Sequence, residues 1–474
     1  MIGRREEITI LTKFLKTKGG YLTAMVGRRR VGKTYMVRQV LKENLVFEFT
    51  GTQYANKANQ LQKFSQKLQE HQKLKYELKP PKDWAEAFVQ LKLYLEGIRK
   101  SKKKPVVFFD ELPWIDSRRS GFLQEFSYWW NDWASKQNIL VVICGSAASW
   151  MIKKVINNKG GLHNRVHRTI NLKPFSLKET HEFLLSKNLK FNYYQTTLLY
   201  MALGGVPFYL EQLETGETAT QAINRLCFSK NGALANEFGN LYAALYEHPE
   251  NHIAIIKALK KKWKGLTRQE IIQSTGISNG GGLTKVLDEL TASSFIIEIL
   301  PFGKKKKDTL YRLADEFSLF YIQFMDGKNR KGQDQWMKTF ASQAYKTWCG
   351  YAFENICIKH ENAIKKSLGI SGIKTEVSSF AGTRDSEGDG LQIDMLIDRA
   401  DMAINLCEIK FYADEWKLSA KDANLLRKRR ERFRQLTGTK KMLINTVISS
   451  YGVMANEHAN AQVEKALELK HLFN

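Results

Sequence analysis

The segment from residue 27 to residue 34, Gly-Arg-Arg-Arg-Val-Gly-Lys-Thr, constrains the fold of this chain more than any other stretch. It has the spacing G-x-x-x-x-G-K-[ST], in which two glycines let the backbone curl so that successive amide groups point at phosphate oxygens. The apolar run 21–26 before it predicts a buried strand, and residues 35–41 after it predict a helix. Because this order places phosphates at the positive end of a helix, the sequence predicts a site for ATP or GTP.

Eight consecutive residues are therefore candidates for binding the nucleotide. The Lys33 ammonium would neutralise the β- and γ-phosphates, and the Thr34 hydroxyl would ligate Mg²⁺. The eight candidates are Gly27, Arg28, Arg29, Arg30, Val31, Gly32, Lys33 and Thr34.

Two further apolar runs end in polar residues that suit the same chemistry. The run 105–109 leads into Asp110 and Glu111, as expected for a central parallel strand that ends at the carboxyl edge of a sheet. There Asp110 would hold the Mg²⁺ shell and Glu111 would orient and deprotonate the attacking water. The run 139–144 leads to Ser146, whose hydroxyl would either reach the γ-phosphate or the water, or only cap the chain at that point.

The charge of the chain indicates an acidic partner. A chain of 474 residues is too long for one core and predicts two to four domains. Its 74 basic and 48 acidic residues give a net charge of +26, which would repel itself without an acidic partner, and nucleic acid is the leading candidate. The alternative is a basic surface that serves only solubility.

Cysteine usage and hydropathy indicate where the chain works. Its five cysteines are scattered without a C-x-x-C pair, which is typical of small buried hydrophobes in a reducing compartment. We find no apolar run of membrane-spanning length and no signal-peptide core at residues 1–6. We therefore expect a cytoplasmic protein with no membrane partner.

The patterning divides the chain into four predicted parts. Residues 1–173 alternate strands and helices as an α/β nucleotide-binding sheet does, and 174–248 read as a helical lid. Within the first part, the aromatic stripe over 122–133 has helical spacing and predicts core packing. Residues 249–330 read as a winged helix, and 331–474 form a last α/β domain.

The predicted winged helix has its own candidate for DNA contact. A first helix covers 252–259, a capping box at 267–270 opens a second helix that ends at Gly276, and a third helix starts at Leu283. Two strands then flank the lysine run 304–307. That hairpin tip would suit DNA phosphates and the third helix a groove, although winged helices also serve as plain protein-interaction modules.

A second set of candidate catalytic residues lies near the C-terminus. Two predicted strands, 392–397 and 404–410, can place Asp394 beside Glu408, and two carboxylates beside phosphate suit Mg²⁺. Lys410 projects from the same strand face as Glu408 and could activate water or neutralise phosphate charge. Glu354, on a predicted helix, could reach the metal or its water. The basic helix predicted over 421–434 could hold a polyanion beside this site, although such a run often marks only a solvated face.

Taken together, these motifs resemble the archaeal-type P-loop ATPases of the AAA+/STAND superclass fused to a C-terminal PD-(D/E)XK nuclease-like domain. The resemblance implies a P-loop NTPase sheet with a helical lid, a winged helix and an α/β restriction-endonuclease-like domain. The matching segments are 2–6, 27–34, 109–111, 144–146, 171–176, 205–207 and the C-terminal set Asp394, Glu408 and Lys410.

The resemblance also implies residue roles. Ser146 would take the sensor position, Pro207 in the lid would contact the nucleotide, and Arg165 would sense or finger the γ-phosphate. In the nuclease-like part, Asp394, Glu408 and Lys410 match the signature core, with Ile393 where the family has proline.

Three functions remain open at this point. The first is an ATP- and Mg²⁺-dependent protein that engages DNA and cuts it with its last domain. The second is a STAND-like switch that hydrolyses ATP slowly until a protein partner binds, and the third uses a degenerate nuclease domain only for docking. Intact Asp394, Glu408 and Lys410 favour the first, and a ring-like homo-oligomer is compatible with the superclass.

Overall fold

The computed structural model describes residues 1–98, 103–117, 119–157, 160–327, 335–340, 342–382 and 391–474. These residues form two compact units, Met1–Lys173 and Pro174–Asn474. The boundary expected between residues 330 and 331 lies outside the described residues.

The first unit is an α/β layer structure around a five-stranded parallel sheet of order β2-β3-β4-β1-β5. Its strands are β1 (Tyr21–Val26), β2 (Leu45–Thr50), β3 (Val106–Asp110), β4 (Leu140–Gly145) and β5 (Arg168–Asn171). Its helices are α1 (Arg5–Lys16), α2 (Lys33–Leu41), α3 (Lys57–Gln72), α4 (Trp84–Gly97), α5 (Leu112–Ile115), α6 (Phe122–Asp132) and α7 (Ala148–Met151). Short 3-10 and π-helical turns follow at Ala134–Lys136 and Ile152–Ile156.

Apolar side chains cover both faces of this sheet, as a central parallel sheet requires. One face carries an aromatic core in which Phe109 packs against Phe126 at a ring separation of 5.6 Å. The other face carries an aliphatic core that includes Met25, Val37 and Val142. The aromatic stripe of α6 is buried in the first of these cores, so the prediction that it packs rather than binds is confirmed.

The second unit begins with helices and ends with a mixed sheet. Its helices are α8 (Leu177–Ser186), α9 (Tyr193–Leu203), α10 (Pro207–Leu210), α11 (Ala219–Ile223), α12 (Glu237–Leu245), α13 (Glu250–Lys261), α14 (Arg268–Thr275), α15 (Gly281–Ala292), α16 (Glu316–Phe324), α17 (Gln335–Thr339), α18 (Gln343–Lys359), α19 (Glu361–Ser367), α20 (Ala420–Thr437) and α21 (Glu457–Gln462). Its strands are β6 (Leu266–Thr267), β7 (Ile296–Ile299), β8 (Leu310–Leu313), β9 (Thr375–Ala381), β10 (Gln392–Arg399), β11 (Ala403–Lys410), β12 (Met442–Ser449) and β13 (Lys465–Leu467). Short 3-10 and π-helical turns lie at Asn224–Phe228, Lys306–Asp308 and Leu469–Phe473.

Local sequence signals explain the middle of this unit. Thr267 and Glu270 form the reciprocal capping box expected at the start of α14, and Gly276 ends that helix with a φ of 72°. Strands β6, β8 and β7 then form a three-stranded antiparallel sheet in that order. The two strands expected around the lysine run are therefore present, joined by exposed lysines.

The C-terminal sheet has the order β13-β12-β11-β10-β9. Its β9–β10 and β10–β11 pairs are antiparallel, whereas β11–β12 and β12–β13 are parallel. Helix α18 packs on β11, and one apolar core runs from the helices at the start of the unit through α16 and α18 into this sheet. The second unit is thus held together by a shared core rather than by a linker.

All five cysteines are buried and free, which confirms their expected role as small core residues. In the parts of the chain that the structure describes, each helix is too short or too polar to cross a bilayer.

His360 joins α18 to the helical part of the second unit and gives the fold a pH dependence. Its Nε2 accepts from the Leu177 amide at 2.9 Å, so its Nδ1–H donates to the Ile356 carbonyl at 2.8 Å and the ring is neutral. Burial lowers the pKa of this imidazole to about 4. Since the folded pKa lies below the unfolded value of about 6.5, the stability that it contributes is present above pH 6.5 and is lost as the pH falls towards 4.

We therefore expect acid to destabilise the wild-type protein by about 2.5 kcal/mol more than a His360→Gln variant between pH 7.5 and pH 4.5. Urea unfolding of both proteins at the two pH values measures this difference. Other titrating groups are common to both proteins and cancel, so an equal acid response would show that His360 is not buried and neutral.

Candidate functional site

The carboxyl ends of three neighbouring strands meet at one edge of the first sheet. Register pairs Val26 of β1 with Gly145 of β4, and Phe109 of β3 with Ile143 of β4. The residues that follow these strand ends are consequently neighbours, although they are far apart in sequence. They are the phosphate-loop residues, the two carboxylates and Ser146.

The loop after β1 requires its glycines. Gly27 has a φ of 152°, and a Cβ there would lie 2.3 Å from the Leu172 carbonyl oxygen. Gly32 has a φ of 91° and caps α2, which begins at Lys33. A side chain at either position would therefore be strained, and at position 27 it would collide with backbone.

Lys33 points into the loop itself. Its Nζ donates to the carbonyl oxygens of Gly27 at 2.7 Å and Arg28 at 3.0 Å, and the side chain is buried. The ammonium is thus fixed at the centre of the loop that the sequence predicts to hold phosphate. A triphosphate seated there would present its oxygens to this charge.

Thr34 and Asp110 form the pair that the sequence predicts as magnesium ligands. The Thr34 hydroxyl donates to Asp110 Oδ2 at 2.6 Å. The second carboxylate oxygen, Oδ1, accepts from the Glu111 amide at 3.0 Å. This hydroxyl and carboxylate, side by side at the phosphate loop, fit the oxygen ligands that Mg²⁺ takes with nucleotide phosphates.

Glu111 is held by Ser146. Its Oε2 accepts from the Ser146 hydroxyl at 2.7 Å and from the Ser146 amide at 3.0 Å. Glu111 also has a φ of 49°, in the left-handed region that non-glycine residues rarely adopt. The backbone turn and the two donors together fix the position of this carboxylate beside Asp110.

Arg4 is a loop-supporting residue to which the sequence analysis gave no role. Its Nη2 donates to the Lys173 carbonyl at 2.6 Å and to the Val31 carbonyl at 3.4 Å, and its side chain is buried. Arg4 therefore ties the start of the chain to the phosphate loop. The indication of this role in the sequence is that Arg4 lies in segment 2–6, one of the segments that carry the family resemblance.

Two further predicted nucleotide contacts belong to other segments of the chain. Arg165 is exposed and precedes β5, where the His167 amide donates to the Leu22 carbonyl at 2.8 Å. Leu22 is at the start of β1, about 13 Å from its end at Val26 by strand length, so the structure does not bring Arg165 to the phosphate loop of its own sheet. Pro207 lies in the second unit, at the first turn of α10.

In the second unit, Asp394 and Glu408 lie on adjacent antiparallel strands. The β10–β11 register pairs Met395 with Cys407, and Asp394 and Glu408 are the next residues beyond that pair on their strands. The register of β10 against β9 shifts between Ile393 and Leu396, and such irregularities re-aim side chains. Gln392 Nε2 donates to Asp394 Oδ1 at 2.8 Å.

Glu408 is engaged by two cations. Lys410 Nζ lies 2.8 Å from Glu408 Oε1, and Arg429 of α20 pairs with Oε2. Burial would raise the pKa of Glu408, but Arg429 and Lys410 outweigh it and lower the pKa. Burial likewise opposes the charge on Lys410, but Glu408 raises its pKa overall, so both groups are charged at neutral pH.

Glu354 is paired with Arg312, for which the sequence pattern predicts no role. Arg312 of β8 donates to Glu354 Oε2 at 3.1 Å, and both side chains are buried. Burial, and then the negative charge of Asp394, raise the pKa of Glu354 to about 7 against the opposing effect of Arg312. Adjacent strands β10 and β11 carry Asp394, Glu408 and Lys410, and the charge of Asp394 reaches Glu354, so the four predicted C-terminal residues share one neighbourhood.

This neighbourhood differs from a preformed metal centre. Among the residues that the structure describes, no three His, Cys, Asp or Glu side chains stand close enough together to hold an ion. Asp394 and Glu408 supply oxygen ligands of the type that Mg²⁺ takes, whereas Glu354 is turned to Arg312. Of the three carboxylates, Asp394 and Glu408 therefore have the donor chemistry that fits Mg²⁺.

Residues 1–213 match a family model described as an ATPase domain predominantly from Archaea. Over these residues the chain is similar to that family, and the phosphate loop described above lies within the matched range.

Known proteins resemble longer stretches of the chain. An uncharacterized protein of Methanocaldococcus jannaschii is 23% identical over 328 residues, which are 68% of this chain and 68% of that protein. A Walker-type ATPase of Pyrococcus abyssi is 20% identical with a TM-score of 0.48, over 68% of this chain and 96% of that chain. The ORC2 protein of Aeropyrum pernix is 14% identical with a TM-score of 0.42, over 72% of this chain and 95% of that chain.

Proposed function

We propose that this protein hydrolyses ATP with Mg²⁺ and engages DNA through its second unit, whose C-terminal part is a PD-(D/E)XK nuclease-like domain. The proposed parts are an ATPase core over 1–173, a lid over 174–248, a winged helix over 249–330 and the nuclease-like domain over 331–474. The observation that carries the ATPase site is the chain of contacts from Thr34 to Asp110 and from Glu111 to Ser146.

The hydrolytic step follows from these contacts. Lys33 and the loop amides would hold the β- and γ-phosphates, and Thr34 and Asp110 would hold Mg²⁺, which would supply charge neutralisation. Glu111 takes the proton of a water aligned with the γ-phosphate, and the water oxygen forms the new bond as the bond to ADP breaks. Ser146 positions the Glu111 carboxylate for this transfer.

Arg165 would take part in ATP hydrolysis only in an assembly of two or more copies of the chain. Because it lies near the amino edge of the sheet, opposite the phosphate loop, an Arg165 that contacts a γ-phosphate acts on the site of a second copy of the chain. The same proposal keeps Pro207 as a residue that contacts the nucleotide, as the resemblance implies.

The basic surface favours the lysine hairpin and α20 as the DNA-binding elements. Phe302, just before the hairpin lysines 304–307, packs against Phe433 of α20 at a ring separation of 5.5 Å. The hairpin is therefore next to α20, whose exposed residues include Arg427, Lys428 and Arg434. Helix α15, the third helix of the proposed winged helix, exposes both Lys285 and Asp288. The negative charge of Asp288 makes this helix poorly suited to a DNA groove lined by phosphates.

A second candidate function is a STAND-like switch whose C-terminal domain only docks DNA or a protein. Two observations favour it: Glu354 is turned to Arg312, and Arg429 occupies one oxygen of Glu408. Both functions keep the ATPase site, and they differ in whether Asp394 and Glu408 act on phosphodiesters.

DNA binding through phosphate contacts has a measurable salt dependence. We expect that replacing Lys304–Lys307 by glutamine will reduce the slope of log affinity against log salt by up to about 4. Fluorescence anisotropy with a labelled duplex at several salt concentrations measures this. A variant with Lys73, Lys75, Lys79 and Lys82 replaced, four exposed lysines of the first unit, is the matched control.

An unchanged slope in the hairpin variant would remove this surface from the proposal.

In the same preparations, nicking of plasmid DNA with Mn²⁺ that disappears in Asp394→Asn supports the nuclease function. Nicking that survives in that variant favours the switch.

A further inference from the structure

The turn from Lys262 to Gly265, between α13 and β6, is built to a fixed position. The Gly265 amide donates to the Lys262 carbonyl at 2.9 Å and closes the turn. Gly265 has a φ of 103°, and a Cβ there would lie 2.8 Å from the Tyr311 carbonyl oxygen on β8. Only glycine fits this approach, so the turn is seated firmly on β8.

The two residues at the tip of the turn contact the C-terminal carboxylate site. Trp263 stacks on Tyr351 of α18 with a ring separation of 4.9 Å and an interplanar angle of 4°. Tyr351 is about one helical turn before Glu354. Lys264 Nζ lies 3.5 Å from Asp394 Oδ1. The turn thus lies against the helix and the strand that carry two of the candidate catalytic carboxylates.

Each of the three carboxylates is bound by a cation from another element. Lys264 binds Asp394, and Arg312, the neighbour of Tyr311 on β8, binds Glu354. Arg429 of α20 binds Glu408. The first two cations come from the segment proposed to be a winged helix. A divalent ion needs the same oxygens and is repelled by the same positive charges.

We propose that the Lys262–Gly265 turn is an internal lid, distinct from the helical lid proposed over 174–248, that keeps the carboxylate site closed to divalent cations. In this closed state Lys264 and Arg312 supply the positive charge that a metal ion would otherwise supply. This inference rests on the proposed function, because it requires Asp394 and Glu408 to be metal ligands. Whether the nuclease-like site can bind a metal ion then depends on where the winged helix lies, because Lys264 and Arg312 belong to the segment proposed to be the winged helix.

Binding of Mn²⁺ to the full-length protein, followed by isothermal titration calorimetry, tests the lid without relying on cleavage. A Trp263→Ala/Lys264→Gln variant removes the stack and the ion pair together. We expect it to bind Mn²⁺ about tenfold more tightly than the wild type, and Asp394→Asn in the same background to abolish that binding. Lys261→Gln, at an exposed lysine at the end of α13, removes the same charge and should leave the affinity at the wild-type value.

Two results would overturn the lid, and they are distinguishable. Equal affinity in the wild type and the double variant, lost in Asp394→Asn, would mean that the metal site exists but is open. No Mn²⁺ binding at Asp394 in any variant would mean that the metal site itself is wrong, and the nuclease part of the proposed function would fall with it. If the double variant does not fold, Lys264→Gln alone keeps the stack and gives the same comparison.

Discussion

A Glu111→Gln variant should hydrolyse ATP about 10² to 10⁴ times more slowly than the wild type while it binds ATP with nearly unchanged affinity. Glutamine has the shape of glutamate and still accepts from the Ser146 hydroxyl, which Glu111 engages at 2.7 Å. It cannot take a proton from water, so only the chemical step is slowed. Steady-state phosphate release and equilibrium binding of a fluorescent ATP analogue measure the two quantities separately.

Two controls separate the base from the rest of the site. Glu43→Gln removes the same charge from an exposed position of the first unit and should leave both quantities unchanged. Lys33→Ala removes the ammonium that lies among the loop carbonyls and should abolish binding. A Glu111→Gln protein that turns over ATP at the wild-type rate would exclude Glu111 as the base, whatever Lys33→Ala does.

The second large effect concerns the buried pair Arg312–Glu354. Replacing Arg312 by methionine leaves a buried carboxylate without its partner, and we expect the free energy of unfolding at pH 8 to fall by about 3 to 5 kcal/mol. Arg312 is only 3% exposed, so water cannot replace it. Adding Glu354→Gln should recover most of the loss, because no buried charge then remains unpaired.

The loss of unfolding free energy in Arg312→Met should also depend on pH, and it should be larger at high pH than at low pH. The pKa of Glu354 is raised to about 7 in the folded protein, so its contribution to stability is present below the unfolded pKa of about 4.5 and is lost as the pH rises through 7. Without Arg312 the folded pKa rises further. The Arg312→Met protein should therefore be closer to wild type at pH 5.5 than at pH 8 in urea unfolding, and a deficit independent of pH would contradict the pairing.

The phosphate loop, the strand that precedes it and the acidic strand end could be predicted because their signals are local. Glycine spacing and a run of apolar residues determine the backbone over fewer than ten residues. The same holds for the capping box of α14 and for β11 with its Glu408 and Lys410. Family resemblance added the sensor position of Ser146, and the structure gives its hydroxyl a specific partner in Glu111.

The partners of these groups depended on how the sheets and helices pack. Ser146 is 35 residues from Glu111, and Arg312 is 42 residues from Glu354, so neither pair leaves a periodic trace in the sequence. The Lys264–Asp394 contact joins a turn to a strand of another sheet, and His360 reaches α8 from the end of α18.

The sequence by itself determined that the chain carries a nucleotide loop and a strand-borne carboxylate set, because neighbouring residues act through backbone geometry. Tertiary structure alone decided which charge faces which carboxylate, and it turned Glu354 towards an arginine. The physical reason is that desolvated charges must find partners wherever the packed elements place them.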